Sequence, residues 1–139
     1  MTSNGIQVLI VEDDPVTRRA YAELLAHWGY ATRTAQNGLA ALVEIYRAKP
    51  DILLSDLEMP GMNGYELLSI VRRLHPEVPL VAMSGGYNGD GVPAGVTADA
   101  FYAKGAGPSS RLRVLLGKVS GAGRGMNRTA RMDMTLGAM

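Results

Sequence analysis

Short apolar runs alternate along the chain with longer segments whose apolar residues recur at helical spacing. Ile6-Gln7-Val8-Leu9-Ile10-Val11, Ile52-Leu53-Leu54-Ser55 and Leu80-Val81-Ala82-Met83 read as buried strands, and Tyr30 to Ala35 alternates with enough β-branched and aromatic character to be a strand nearer an edge. Ala100-Phe101-Tyr102-Ala103 reads as a fifth. Between them, Asp14-Pro15 supplies an N-cap and a first-turn proline for a helix over Val16 to His27, with Val16, Ala20, Leu24 and His27 at helical spacing and Gly29 as its stop. Leu39, Leu42, Val43 and Tyr46 mark a second helix that ends before Pro50. Leu67, Leu68, Val71 and Leu74 mark a third over Tyr65 to Leu74, closed by His75-Pro76, and Pro108 to Leu116 forms the last.

Strands that alternate with helices across short loops predict right-handed βαβ crossovers, and so an α/β fold whose parallel sheet is covered on both faces. Residues 85 to 95 break the pattern. They hold five glycines and Pro93 where a helix is due, so an irregular fourth helix region is expected.

The polar residues that end the strands change the picture from fold to site. Glu12-Asp13-Asp14 follows the first strand, Asp56 the third, Ser84 the fourth and Lys104 the fifth. Open α/β sheets place ligands at the carboxyl ends of their strands, and there these residues form a carboxylate nest facing a hydroxyl and an ammonium. Clustered carboxylates repel and raise one another's pKa, so such a nest persists where a cation or a chemical step requires it. Mg²⁺ suits it, because that ion takes oxygen ligands, uses one or two protein carboxylates and leaves room for water and a phosphoryl group. Asp56 beside the metal and Lys104 could attack phosphorus, and Ser84 could donate to an equatorial oxygen.

Composition narrows the alternatives. The 139 residues allow one ordinary core, and 47% hydrophobic content with a net charge of +1 excludes a disordered class and any strong pull toward nucleic acid. Residues 117–139 carry Lys118, Arg124, Arg128 and Arg131 against Asp133, which leaves the remainder mildly acidic. Without cysteine there is no disulfide, thiolate metal site or thiol nucleophile. No signal-peptide pattern and no apolar stretch near the ~18 residues of a membrane span occur, so a cytoplasmic protein is expected.

The constellation, with Asp56-Leu57-Glu58-Met59-Pro60-Gly61-Met62-Asn63-Gly64, resembles the receiver domain of two-component response regulators over residues ~6 to 119. The resemblance implies a flavodoxin-like, doubly wound five-stranded sheet of order 2-1-3-4-5. It also implies that Asp56 is the phosphoacceptor, that Glu12 and Asp13 are the acidic metal pair, and that the Glu58 backbone carbonyl completes the Mg²⁺ shell. Ser84 matches the switch hydroxyl, Lys104 the phosphate-binding lysine and Phe101 the switch aromatic, with Tyr102 a near neighbour able to share that role. The implied partners are a histidine kinase or histidine phosphotransfer protein upstream and a protein target downstream. A signalling domain is implied rather than an enzyme, with Mg²⁺-dependent self-phosphorylation and autodephosphorylation as its chemistry.

Two departures stand out: Gly105 follows Lys104 where the family usually has a proline, and the glycine-rich stretch replaces the usual fourth helix. The expected organisation is an N-terminal leader at 1–5, a receiver at 6–119 and a flexible basic tail at 120–139. That leaves no room for a DNA-binding output domain, no membrane association, and dimerisation open.

Two other functions compete. A phosphorylation-independent interaction module is motivated by those departures, and a small aspartyl-phosphate phosphohydrolase by the nucleophile itself, although such enzymes want an aspartate where Glu58 stands. His27 and His75 have no ligand partner at metal spacing and read as helix-end residues. Gly89 to Ala94 imitates a dinucleotide fingerprint in the wrong βα turn, and Asn127-Arg128-Thr129 has glycosylation spacing without a secretory context.

Overall fold

The structure is a computed structural model, and it describes residues 5–86, 91–105 and 107–121. Its elements run β1 (Gln7–Val11), α1 (Pro15–His27), β2 (Ala31–Ala35), α2 (Gly38–Arg47), β3 (Ile52–Asp56), α3 (Gly64–Leu74), β4 (Leu80–Ser84), β5 (Ala100–Ala103) and α4 (Ser110–Ser120). All strands pair in parallel in the order β2-β1-β3-β4-β5, as expected.

Register decides where the site forms. Val11 pairs with Ser55, Asp56 with Met83, and Ser84 with Ala103, so four strands end level with one another. The residues that follow them meet at one edge.

Alternation along each strand divides the core into two layers. Leu9, Val11, Leu53, Ala82 and Phe101 pack with α2 and α3 on one face, while Val8, Ile10, Leu54, Met83 and Tyr102 pack with α1 and α4 on the other. The neighbours Phe101 and Tyr102 therefore serve opposite layers.

The helices form where expected, with corrections to two buried faces. In α1 the predicted stripe through Val16 and Ala20 is exposed, and Leu25 and Trp28 are buried with Tyr21 partly covered. The larger apolar area of Tyr21 and Trp28 sets the rotation of the helix. In α2, Leu39, Val43 and Tyr46 face out and Gly38, Ala41 and Ile45 face in. Small residues win that face because the helix start approaches Met62 closely: a Cβ on Gly38 would lie 2.7 Å from the Met62 Sδ. In α3, Leu67, Leu68 and Val71 are buried as expected, whereas Leu74 is exposed. The last helix begins two residues later than Pro108 and extends through Ser120.

The irregular region is found as anticipated among its described residues. Residues 91–99 form turns and bends without a helix, and Val92, Val96 and Ala98 pack on the α2–α3 layer in its place. Residues 87–90, the tail from 122 onward and residues 1–4 of the leader lie outside the described residues.

Candidate functional site

β1 and β3 each deliver a buried carboxylate to the same edge. Glu12 and Asp56 are 2% and 4% exposed, while Asp13 stands exposed at the mouth. One carboxylate oxygen from each of the three lies within 4.8 Å of the others.

The main chain around this cluster is fixed from several sides. The Glu12 N–H donates to the Ala35 carbonyl of β2 at 3.1 Å. Arg18, one turn into α1, donates from Nη1 to the Glu12 carbonyl at 3.0 Å and reaches the Asp13 carbonyl at 3.4 Å. On the β3 side, the Leu57 N–H donates to the Met83 carbonyl at 2.9 Å and the Gly64 N–H to the Leu57 carbonyl at 3.0 Å. Gly64 opens α3 directly against this turn: a Cβ there would sit 2.1 Å from the Asp56 carbonyl oxygen. The Asn63–Glu66 capping box sets that helix start.

Lys104 enters from β5. Its Nζ donates to Glu12 Oε1 at 3.0 Å and to Asp56 Oδ2 at 3.2 Å, and its own N–H donates to the Ser84 carbonyl at 3.0 Å. Gly105 takes φ +76° immediately afterwards, a turn that its missing Cβ permits, and among the described residues no peptide bond is cis. The departure from proline therefore leaves the lysine in the pocket.

Electrostatics follow from this geometry. Burial pushes the Asp56 carboxyl up to about 6; Lys104 opposes that shift and Glu12 adds to it. Burial alone would lower Lys104, yet its hydrogen bond to Glu12 and the charges of Asp56 and Glu12 leave its pKa raised. Tyr21 on α1, half-covered beside Tyr102 and Lys104, is pushed up to about 12, chiefly by burial. Three carboxylates against one ammonium leave an excess of negative charge on hard oxygen donors. That donor set fits a divalent cation such as Mg²⁺.

Ser84 and Glu58 meet in a way the sequence did not reveal. The Ser84 hydroxyl donates to the Glu58 carboxylate, with Oε2 at 2.8 Å and Oε1 at 3.0 Å. The Glu58 N–H lies 3.4 Å from Asp56 Oδ1. Phe101 is 5% exposed and belongs to the α2–α3 layer.

The family model for the response regulator receiver domain matches residues 8–103. The chain belongs to that family. The match stops one residue short of Lys104, which the fold itself brings to the carboxylates.

Among curated proteins, the nitrogen assimilation regulatory protein NtrX of Azorhizobium caulinodans is 38% identical over 96 residues, covering 68% of this chain and 21% of that protein. Sensor histidine kinase RcsC of Salmonella typhimurium is 36% identical over 83 residues, covering 60% of this chain and 9% of that one. The receiver thus spans about a fifth or less of these relatives.

Among solved structures, the response regulator protein TrrA of Thermotoga maritima, in complex with Mg²⁺ and BeF, superposes with a TM-score of 0.74 at 26% identity over 82% of this chain and 98% of that one. NtrX of Brucella abortus shares the fold with a TM-score of 0.78 at 23% identity, over 89% of this chain and 29% of that one.

Proposed function

We propose that this receiver accepts a phosphoryl group on Asp56 from the phosphohistidine of a histidine kinase or phosphotransfer protein, and signals by presenting an altered surface to a downstream protein. The observation that carries this reading is Lys104 Nζ lying 3.2 Å from Asp56 Oδ2 inside a three-carboxylate cluster.

The chemistry follows from the residues. An Asp56 oxygen attacks phosphorus, the new O–P bond forms as the N–P bond breaks, and the imidazole departs. Lys104 Nζ already lies 3.2 Å from Asp56 Oδ2, so its ammonium is in place to neutralise charge on the incoming group. Glu12, Asp13, Asp56 and the Glu58 carbonyl would hold Mg²⁺, which supplies further neutralisation of the phosphoryl oxygens when bound. Ser84, held at the end of β4, donates to the phosphoryl group once it is in place, and the buried Phe101 is the aromatic positioned to repack with it. The excess of carboxylates makes the pocket costly to maintain without a cation, which favours a working site over a retained shape.

The phosphorylation-independent reading draws on the irregular residues 91–99, and one experiment separates the two. Incubation with Mg²⁺ and acetyl phosphate, followed by intact mass measurement, is expected to show one phosphoryl adduct that is absent from Asp56→Asn. No adduct on the wild-type chain would favour the interaction module, and continuous release of phosphate from small phosphoesters would favour a phosphohydrolase.

A further inference from the structure

We infer that the Glu58 carboxylate is a latch that holds the Ser84 hydroxyl away from the phosphoryl position until Asp56 is modified. The inference rests on Asp56 as phosphoacceptor.

A serine hydroxyl has one proton to donate. That of Ser84 lies between two oxygens of Glu58, at 2.8 and 3.0 Å, and the Gly86 N–H donates into the same Oγ at 3.1 Å. Ser84 is 2% exposed, so water offers little competition for this proton. In this state the hydroxyl has nothing left to give to a phosphoryl oxygen.

The two partners differ in freedom. Ser84 closes β4, and its carbonyl accepts the Lys104 N–H at 3.0 Å, so the hydroxyl stays at the pocket wall. Glu58 stands on the exposed turn after β3, with water available to its carboxylate. A phosphoryl group on Asp56, two residues from Glu58, brings dianionic charge beside that carboxylate and offers Ser84 a stronger acceptor. Glu58 then swings to solvent and the Ser84 proton passes from one hydrogen bond to the other, with no covalent bond broken. Because the first bond must be given up before the second forms, Glu58 sets how far the unmodified protein lies from its signalling conformation.

The latch makes a prediction that simple charge repulsion does not. With the full chain, Mg²⁺ and beryllofluoride as the phosphoryl mimic, Glu58→Ala is expected to raise the affinity measured by calorimetry about tenfold, the scale of one charge-assisted hydrogen bond. Glu58→Gln, a weaker acceptor of the same shape, falls between. In a Ser84→Ala background the Glu58→Ala gain is expected to vanish, whereas an equal gain with and without the hydroxyl would overturn the latch in favour of bare repulsion.

A second measurement needs no mimic. The Gly86 amide resonance of the unmodified protein is expected to move in Glu58→Ala as it does in Ser84→Ala, and an unmoved amide would show that Glu58 does not hold the hydroxyl. If the wild-type chain binds no beryllofluoride while the amide shifts as expected, the phosphoacceptor reading fails and the Ser84–Glu58 bond stands. Normal binding with an additive cycle removes the latch alone.

Discussion

Lys104 holds its ammonium 3.2 Å from the Asp56 carboxylate across 48 residues of chain, and 3.0 Å from Glu12 across 92. A single cation thus already occupies the space between the two buried carboxylates that would bind a metal. Removing it in Lys104→Met eliminates a competitor, so Mg²⁺ affinity by calorimetry is expected to rise about tenfold, while phosphoryl uptake from acetyl phosphate falls. An unchanged Mg²⁺ affinity would place the ammonium outside the metal site.

The buried Asp56 carboxyl gives the fold a pH dependence of known sign. The Asp56 carboxyl is raised from 3.8 to about 6, so folding favours its protonated form. That contribution is complete below about pH 4, the unfolded value, and is lost as pH rises through about 6. Without divalent cations, Asp56→Asn is therefore expected to stabilise the protein by up to roughly 3 kcal/mol near pH 8, with the gain shrinking to nothing near pH 4. Urea unfolding at the two pH values checks this, and a gain independent of pH would contradict it.

Gly64 links the start of α3 to Asp56. A Cβ 2.1 Å from the Asp56 carbonyl oxygen meets backbone that cannot give way, so Gly64→Ala is expected to destabilise by about 1–3 kcal/mol or more and to reduce phosphorylation with it. Gly61→Ala is the control. Gly61 has φ +76° with open space around it, so strain costs about 1–2 kcal/mol there without a clash at the site. Equal losses of stability and phosphorylation in both variants would argue against the close contact.

Arg18 ties α1 to the carbonyls of Glu12 and Asp13. In Arg18→Ala the acidic turn loses these anchors while keeping all of its carboxylates. Mg²⁺ binding is expected to weaken by a factor of about 3–10, with about 1 kcal/mol of stability lost. Hydrogen exchange should quicken at the Asp13 and Asp14 amides, and unaltered exchange would show the turn to be held by other groups.

These residues also show where the sequence was readable. The strands and the meeting of Glu12, Asp13, Asp56 and Lys104 at their ends were legible because buried parallel strands are continuous apolar runs with polar residues after them, whereas the strand order was implied by the family resemblance. The rotation of α2 was not, since Leu39, Val43 and Tyr46 form a more hydrophobic stripe than the buried Gly38, Ala41 and Ile45. There, close approach to Met62 overrode hydrophobic periodicity. Arg18 and the Glu58 side chain escaped notice for another reason. The first acts on backbone carbonyls, and the second finds Ser84 26 residues away, so neither leaves a spacing signal.

The central claim is that Asp56 accepts phosphorus in this pocket. The most direct measurement is to phosphorylate the chain with Mg²⁺ and acetyl phosphate, reduce it with borohydride and map the peptides by mass. An aspartyl phosphate becomes homoserine under this treatment, and the account expects that conversion at position 56, dependent on Mg²⁺ and sharply reduced in Lys104→Met. Conversion at Asp13 or another carboxylate with residue 56 untouched, or none anywhere, would contradict it.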